Sequence, residues 1–264
     1  LEIGRQYGAT IVTHPFETHA RQWQWALKSL PLTTDWVLAL DADQSLTPEL
    51  AAEIIDLFSG AHRLSARLGA LDGIYLNRRQ VFRGRWIKHG GYYPKYLLKI
   101  FRRDRVFFDR YDFVDHHFYV AGATGKLHHD LVERNSKEDD IGFWIAKHVR
   151  YANLLAEEEH RRMIEGGVGI IQPSWFGSPD QRTLQVKAMW SRMPMYVRPF
   201  LYFFYRYFLR LGFLDGKAGF IFHFLQAFWF RLLVDINLDD RRKLLQAAEQ
   251  KRSTDVRKEL SSTQ

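Results

Sequence analysis

One apolar run that ends in two aspartates constrains this chain more than any other feature. Residues 36–43 read WVLALDAD. Trp36, Val37, Leu38 and Leu40 predict a strand buried on both faces, as in a parallel sheet. Such a strand delivers its last side chains to the carboxyl edge, where open α/β sheets bind ligands. Asp41 and Asp43 lie two residues apart, so in extended backbone both carboxylates point to one side. Two hard oxygen donors at that edge suit Mg²⁺ or Mn²⁺ carrying a diphosphate. Aspartate after a strand also serves simply to turn the chain or cap a helix. The context favours the metal, because a helix start follows: Thr47 caps, Pro48 suits the first helical position and Glu49 complements the helix dipole.

A chain of 264 residues holds one sizeable domain with appendages. Its net charge of +8 favours anionic partners such as phosphates or acidic lipid headgroups. No RNP, helix-turn-helix or finger pattern accompanies that charge, so nucleic acid is not an expected partner. The absence of cysteine excludes disulfides and a thiolate metal site. No signal-peptide pattern marks the start. LEIGRQYG reads as a helix stopped by Gly8, followed by a short strand over residues 9–13. A sheet rarely opens this way, which predicts an N-terminally truncated fold with further strands upstream of Leu1.

Thr18 is placed to cap a helix from His19 to about Leu30, with Trp23, Ala26, Leu27 and Leu30 on one face. Residues 49–58 are predicted helical, closed by Ser59 and Gly60. Residues 70–82 and 96–101 predict strands, as do the shorter stretches 106–108 and 125–131. Ser136 is expected to open a helix reaching Ile164, with Asp139 at capping-box spacing and a buried face through Trp144, Ile145, His148, Ala152 and Leu155. Between the strands lies RGRWIKHGGYYP. There Arg83, Arg85, Lys88 and His89 suit phosphates of a donor or a lipid acceptor, and Gly90 and Gly91 admit close backbone approach. A solvated basic loop explains them equally well. Arg102, Arg103 and Arg105 form a second cluster, expected at the surface or facing lipid.

From Met193 the composition shifts to two aromatic, apolar stretches separated by LDGKAG. Spanning a bilayer takes about 20 apolar residues. Arg198, Arg206 and Arg210 interrupt the first stretch; His223, Gln226 and Arg231 interrupt the second. Charge is costly in the bilayer centre, while Trp, Tyr and Arg suit the headgroup layer. Two helices lying in one leaflet are expected, with a hairpin packed on the catalytic domain as the plainer possibility.

With these pieces in view, the chain resembles the family 2 glycosyltransferases of the GT-A fold, in the bacterial branch around the lipopolysaccharide-core β-1,4-glucosyltransferases. The likeness rests on DWVLALDADQSLTPEL, RGRWIKHGGYYPKYLLKIFRRDRV, VDHHFYVAGATGKLHHDL, FWIAKHVRYANLLAEE and RLGFLDGKAGFIFHFLQAFWFRLLVD. It covers nearly the whole chain but not the family's opening β-α-β, which cradles the nucleotide. Gln44 stands where the family often has Glu, and His116 where relatives often have a second acid. The resemblance implies inverting transfer from a nucleotide-sugar donor to a glycan or lipid-linked acceptor at the cytoplasmic face of the bacterial inner membrane. It implies Asp43 as direct ligand of Mn²⁺ or Mg²⁺, and Asp41 on metal, water or ribose. His117 would be a further ligand or orient the diphosphate. Arg85 and His89 would bind donor, and Asp115 would be the base. Asp112 is weighed beside Asp115; capping explains Glu138, Asp139 and Asp140 without catalysis.

The expected architecture is α/β: a GT-A-type mixed sheet with flanking helices over residues 1–165 and a linker or amphipathic segment over 166–192. Aromatic membrane-interface helices at 193–238 and a charged flexible tail at 239–264 complete it. The alternative of another class is an inactive module that binds an anionic membrane surface.

Overall fold

The aspartate strand, β1 (Trp36–Leu38), lies at one edge of a six-stranded sheet and runs antiparallel to its neighbour. The computed structural model describes residues 1–109, 114, 117–164 and 171–262, with backbone alone for 249 and 251–262. The other strands of the sheet are β2 (Gln44–Leu46), β3 (Leu71–Phe82), β4 (Arg85–Ile87), β5 (Tyr96–Arg102) and, after a separate pair β6 (Val106–Phe107) and β7 (Tyr119–Val120), β8 (Ala123–Glu133). Their order is β1-β5-β3-β8-β2, with β4 folded back on β3. Among the described residues only β3 and β8 pair in parallel.

This corrects the expectation of a parallel sheet around β1. Its apolar run has another cause, the cover on both faces. Trp36 and Leu40 pack with Leu50, Leu57 and Ile74, and Val37 and Ala39 with Tyr75, Phe101 and Phe118. Cover on two faces demands apolar residues whichever way a strand runs.

Helix α1 (Glu2–Gln6) precedes residues 9–13, which form no regular element although a strand is expected there. Helix α2 (His19–Ser29) starts where the Thr18 hydroxyl accepts the N–H of Arg21, and its Trp23 and Leu27 pack on one face of the sheet. Helix α3 (Pro48–Ser59) covers the other face. Thr47 accepts the Leu50 N–H at 3.2 Å, and Gly60 ends the helix at φ +96°, a conformation favouring glycine. Buried Glu53 of α3 accepts the N–H groups of His128 and His129, which ties α3 to β8.

Residues 136–139 form a short 3₁₀ turn rather than the first turn of a long helix. The Asn135 side chain caps that turn, and the Asp140 carboxylate accepts the N–H of Gly142 at 2.7 Å. Helix α4 therefore spans Ile141–Ile164, and no capping box forms at Ser136. Its buried residues are Trp144, His148 and Ala152 of the expected face, with Ala156 and Glu158 besides, while Ile145 and Leu155 are half-buried. Arg102 donates to the Leu71 carbonyl and Arg103 to that of Leu32. These two arginines tie strands and loops together instead of facing lipid.

Helix α5 (Pro179–Ser191) begins with a complete capping box between Ser178 and Gln181. None of its residues is buried, and it has no apolar face of the kind an amphipathic segment requires. Helix α6 (Arg198–Phe204) runs on through a π-helical turn to Leu209. A 3₁₀ turn at Gly212–Asp215 leads into α7 (Gly216–His223), a second π-helical stretch and α8 (Phe230–Ser262). The backbone is thus helical well past residue 238, where a flexible tail is expected.

The region 193–238 shares a core with the first 165 residues. Phe230, Val234 and Leu238 pack with Ala152 and Ala156 of α4, and Phe222 meets Phe82, Ile87 and Trp144. Its other side is open: Phe200, Phe204, Phe208, Phe213, Phe220 and Phe224 are each 40% exposed or more. Among the described residues one helix, Gly212–Ala248, is long and apolar enough to cross a membrane, and only 39% of its apolar window is buried within the protein. So wide an apolar face is consistent with membrane association.

Candidate functional site

Strands β1 and β2 sit at opposite ends of the sheet, yet only residues 39–43 join them. Four strand gaps amount to about 19 Å, close to the reach of six extended residues. The tract is not extended, since the Gln44 N–H donates back to the Asp41 carbonyl at 2.9 Å. The sheet must therefore curl, and the aspartates lie across its end. The Ala39 N–H donates to the Lys99 carbonyl on β5, and the Arg134 N–H, just past β8, donates to the Asp43 carbonyl at 2.8 Å.

Three carboxylates meet there. Lys99 Nζ lies 2.8 Å from Asp41 Oδ2, and the lysine is only 4% exposed, so Asp41 has a buried cation of its own. Glu133 at the end of β8 accepts from Arg78 Nη1 at 3.0 Å and from Gln44 Nε2 at 2.8 Å. The Asp41 N–H donates to Gln44 Oε1 at 3.2 Å, which links the two acids through one amide. Asp43 is the acid left least compensated. Burial raises its carboxyl above the ordinary carboxylate value, the Glu133 and Asp41 charges raise it further, and its own backbone N–H and Lys147 offset only part. Lys147 is itself held by Glu138 at 2.5 Å. Glu138 thus positions a cation near Asp43 rather than capping α4.

Beside this cluster stands a rigid wall. Asp130, 4% exposed, accepts from Asn77 Nδ2 at 2.7 Å, from Arg79 Nε at 2.6 Å and from the Tyr93 hydroxyl. Asn77 in turn accepts the Lys95 N–H at 2.9 Å. A satisfied buried network of this type fixes side chains in place.

The other expected site residues fall elsewhere. His89 belongs to the C-terminal helices: its N–H donates to Asp215 Oδ2 at 2.8 Å, and its Nδ1 lies 2.7 Å from Asp215 Oδ1. Arg85 is exposed on β4, near Gly216 at the start of α7. His117 is half-buried against Tyr119, one residue before Phe118, whose ring lies 5.7 Å from Lys99 Nζ. Asp115, with Asp112 and His116, lies outside the described residues. Among the described residues no group of three or more His, Asp or Glu side chains is arranged to hold a metal. A magnesium or manganese ion needs only one or two protein carboxylates when substrate oxygens and water complete its shell. The crowded charge at Asp43 fits such an ion.

The sequence pattern misses Glu133, Lys99, Arg78 and Lys147. Gln44 and Glu133 are 89 positions apart, and only the pairing of β2 with β8 makes them neighbours. A charged residue inside the apolar strand KYLLKIF is the one signal available for Lys99.

The basic loop docks tightly. Gly90 has φ +68°, and a Cβ there would land inside the His223 ring. The Gly90 N–H donates to the Arg210 carbonyl, and Arg206 donates to the Gly90 carbonyl at 2.6 Å. We expect Gly90→Ala to destabilise the chain by about 2 kcal/mol or more, from left-handed strain and overlap together. Thermal unfolding measures the loss, and an unchanged midpoint would contradict this docking.

No protein-family model and no solved structure matches this chain.

Proposed function

We propose that this chain is a glycosyltransferase that moves a sugar, with inversion, from a nucleotide-diphosphate donor to a hydroxyl of a glycan or lipid-linked acceptor. The observation that carries this reading is the Asp41–Asp43 tract laid across the end of the sheet, with the Asp43 carboxyl raised above its ordinary value by burial and two neighbouring acids. Asp43 is the residue to hold Mn²⁺ or Mg²⁺, which when bound supplies positive charge against the leaving diphosphate. Lys99 orients Asp41, and Gln44 and Arg78 orient Glu133, so the acids hold one geometry without reorganising. Asp115 is assigned as the base that accepts the acceptor hydroxyl proton. Arg85, exposed on β4, is a candidate for a donor phosphate, whereas the bond of His89 to Asp215 assigns it to positioning the loop.

The exposed aromatic face of α6 and α7 supports work at a membrane surface, which we place at the cytoplasmic face of the bacterial inner membrane in a peripheral or monotopic arrangement. That same face favours a second reading, a membrane-binding module without catalysis. Titration of Mn²⁺ with UDP-sugars, beside liposome flotation, separates the two. Metal-dependent donor binding and sugar transfer are expected. Flotation without any metal-dependent donor binding would leave the module.

A further inference from the structure

Where α6 meets the sheet, cations gather without enough anions. Arg206 stacks on Tyr92 and Tyr202 at 4.6 and 4.8 Å and donates to the Tyr202 hydroxyl at 2.5 Å. Arg231 lies 5.9 Å from the Tyr202 ring and 5.8 Å from that of Trp190. Lys95, just before β5, is within electrostatic reach of Arg78 and Arg206. Of these four cations only Arg78 has a carboxylate partner, Glu133. The side chains of Lys95 and Arg231 make no hydrogen bond or ion pair among the described residues. Asp180 reaches Lys95 only weakly.

The donors are in surplus too. Arg78 Nε, Arg206 Nε and Trp190 Nε1 are buried with no acceptor. Buried polar groups in folded proteins are paired, and an orphan signals a missing water or ion. Three orphans of one kind, all N–H, among unpaired cations call for a group made of acceptor oxygens. The field points the same way. Burial, then Arg78 and Arg206, hold the Lys95 amine below its ordinary value. Burial alone would raise the Tyr202 phenol, yet Arg206 and Arg231 pull it below its ordinary value.

We propose that Lys95, Arg206 and Arg231, with Tyr202 and Trp190, bind a phosphate ester at a site distinct from the Asp41–Asp43 carboxylates. The opposite face of α6 exposes Phe200 and Phe204, so a phosphate on a membrane-held lipid reaches the same helix. A soluble phosphate ester offers the same chemistry.

The test uses the full chain in EDTA, which takes any divalent ion off the carboxylates and makes the outcome independent of glycosyl transfer. Pyrophosphate is titrated calorimetrically at constant ionic strength, and saturable binding is expected. The double variant Lys95→Gln with Arg231→Gln changes two side chains that make no hydrogen bond or ion pair among the described residues, and glutamine keeps most of the Arg231 stem against Trp190 and Tyr202. The double variant should weaken that binding roughly tenfold or more. Flotation then compares phosphatidylcholine vesicles carrying phosphatidic acid with vesicles carrying oleate at equal charge. Preference for phosphatidic acid that the double variant loses assigns the site to a lipid phosphate. Variant-sensitive pyrophosphate binding without that preference assigns it to a soluble ester. No saturable binding by the wild-type chain, or equal binding by the variant, overturns the site; the wild-type titration decides alone if the variant fails to fold.

Discussion

Asp43→Asn is expected to lower kcat/KM for sugar transfer on the order of 10³-fold, about 4 kcal/mol of transition-state stabilisation. The amide keeps the shape and loses the charge that the leaving diphosphate's counter-ion requires. Folding should not suffer, and the sign is set by the raised carboxyl. Between its ordinary value of 3.8 and its higher folded value, the folded chain binds more protons than the unfolded one. Stability therefore falls as pH rises through that window, and the penalty persists above it. Asparagine carries no such penalty, so without metal the variant at neutral pH should unfold at or above the wild-type temperature. Mn²⁺ should raise the wild-type midpoint and leave the variant's unchanged. Turnover equal to wild type in Asp43→Asn would end the transferase mechanism proposed here. Loss of turnover with a lowered midpoint would point to folding instead of chemistry.

Asp235→Ala should cost about 3–5 kcal/mol, the largest stability effect expected in the C-terminal region. Asp235 is fully buried, and Arg198 is 1% exposed. Arg198 Nε donates to Asp235 Oδ1 at 2.7 Å, its Nη2 bonds the same oxygen and also Glu159 Oε2, and the Tyr196 N–H donates to Asp235 Oδ2 at 2.9 Å. Alanine would strand a buried guanidinium with one acid and leave a backbone donor open. At 2–4 °C per kcal/mol, the unfolding midpoint should drop by roughly 6–20 °C, measured by circular dichroism in detergent. Removing both charges with Arg198→Met and Asp235→Leu should recover part of the loss, because much of the cost lies in the unpaired charge. A single variant as stable as wild type would mean that this pair does not clamp α6 to α8.

Much of the local structure was legible in the chain itself. Thr47, Pro48 and Gly60 announce α3 because caps and left-handed glycine act within a turn or two of backbone. Thr18 does the same for α2. Alternation in IYLNRRQVF marks β3 because successive side chains leave a strand on opposite faces. The helix expected from Ser136 begins at Ile141 instead, since Asn135 and Asp140 offer better local acceptors than Ser136 does. At the candidate site, Asp41 and Asp43 were visible as a pair. His89 read as a phosphate ligand because nothing near it in sequence reveals Asp215, 126 positions away.

Residue order by itself determined where α2 and α3 start, that β3 and β5 are strands, that two acids follow β1, and that residues 193–238 carry an outsized aromatic load. Those depend on neighbours a few positions apart. Tertiary structure alone decided that β1 runs antiparallel, that β8 brings Glu133 to Gln44, that Lys99 neutralises Asp41 while Asp43 stays crowded, and that one side of the aromatic helices is core while the other is open. Strand direction and the charge felt by a carboxylate arise between segments brought together only by collapse, and apolar cover looks alike in sequence whichever partner provides it.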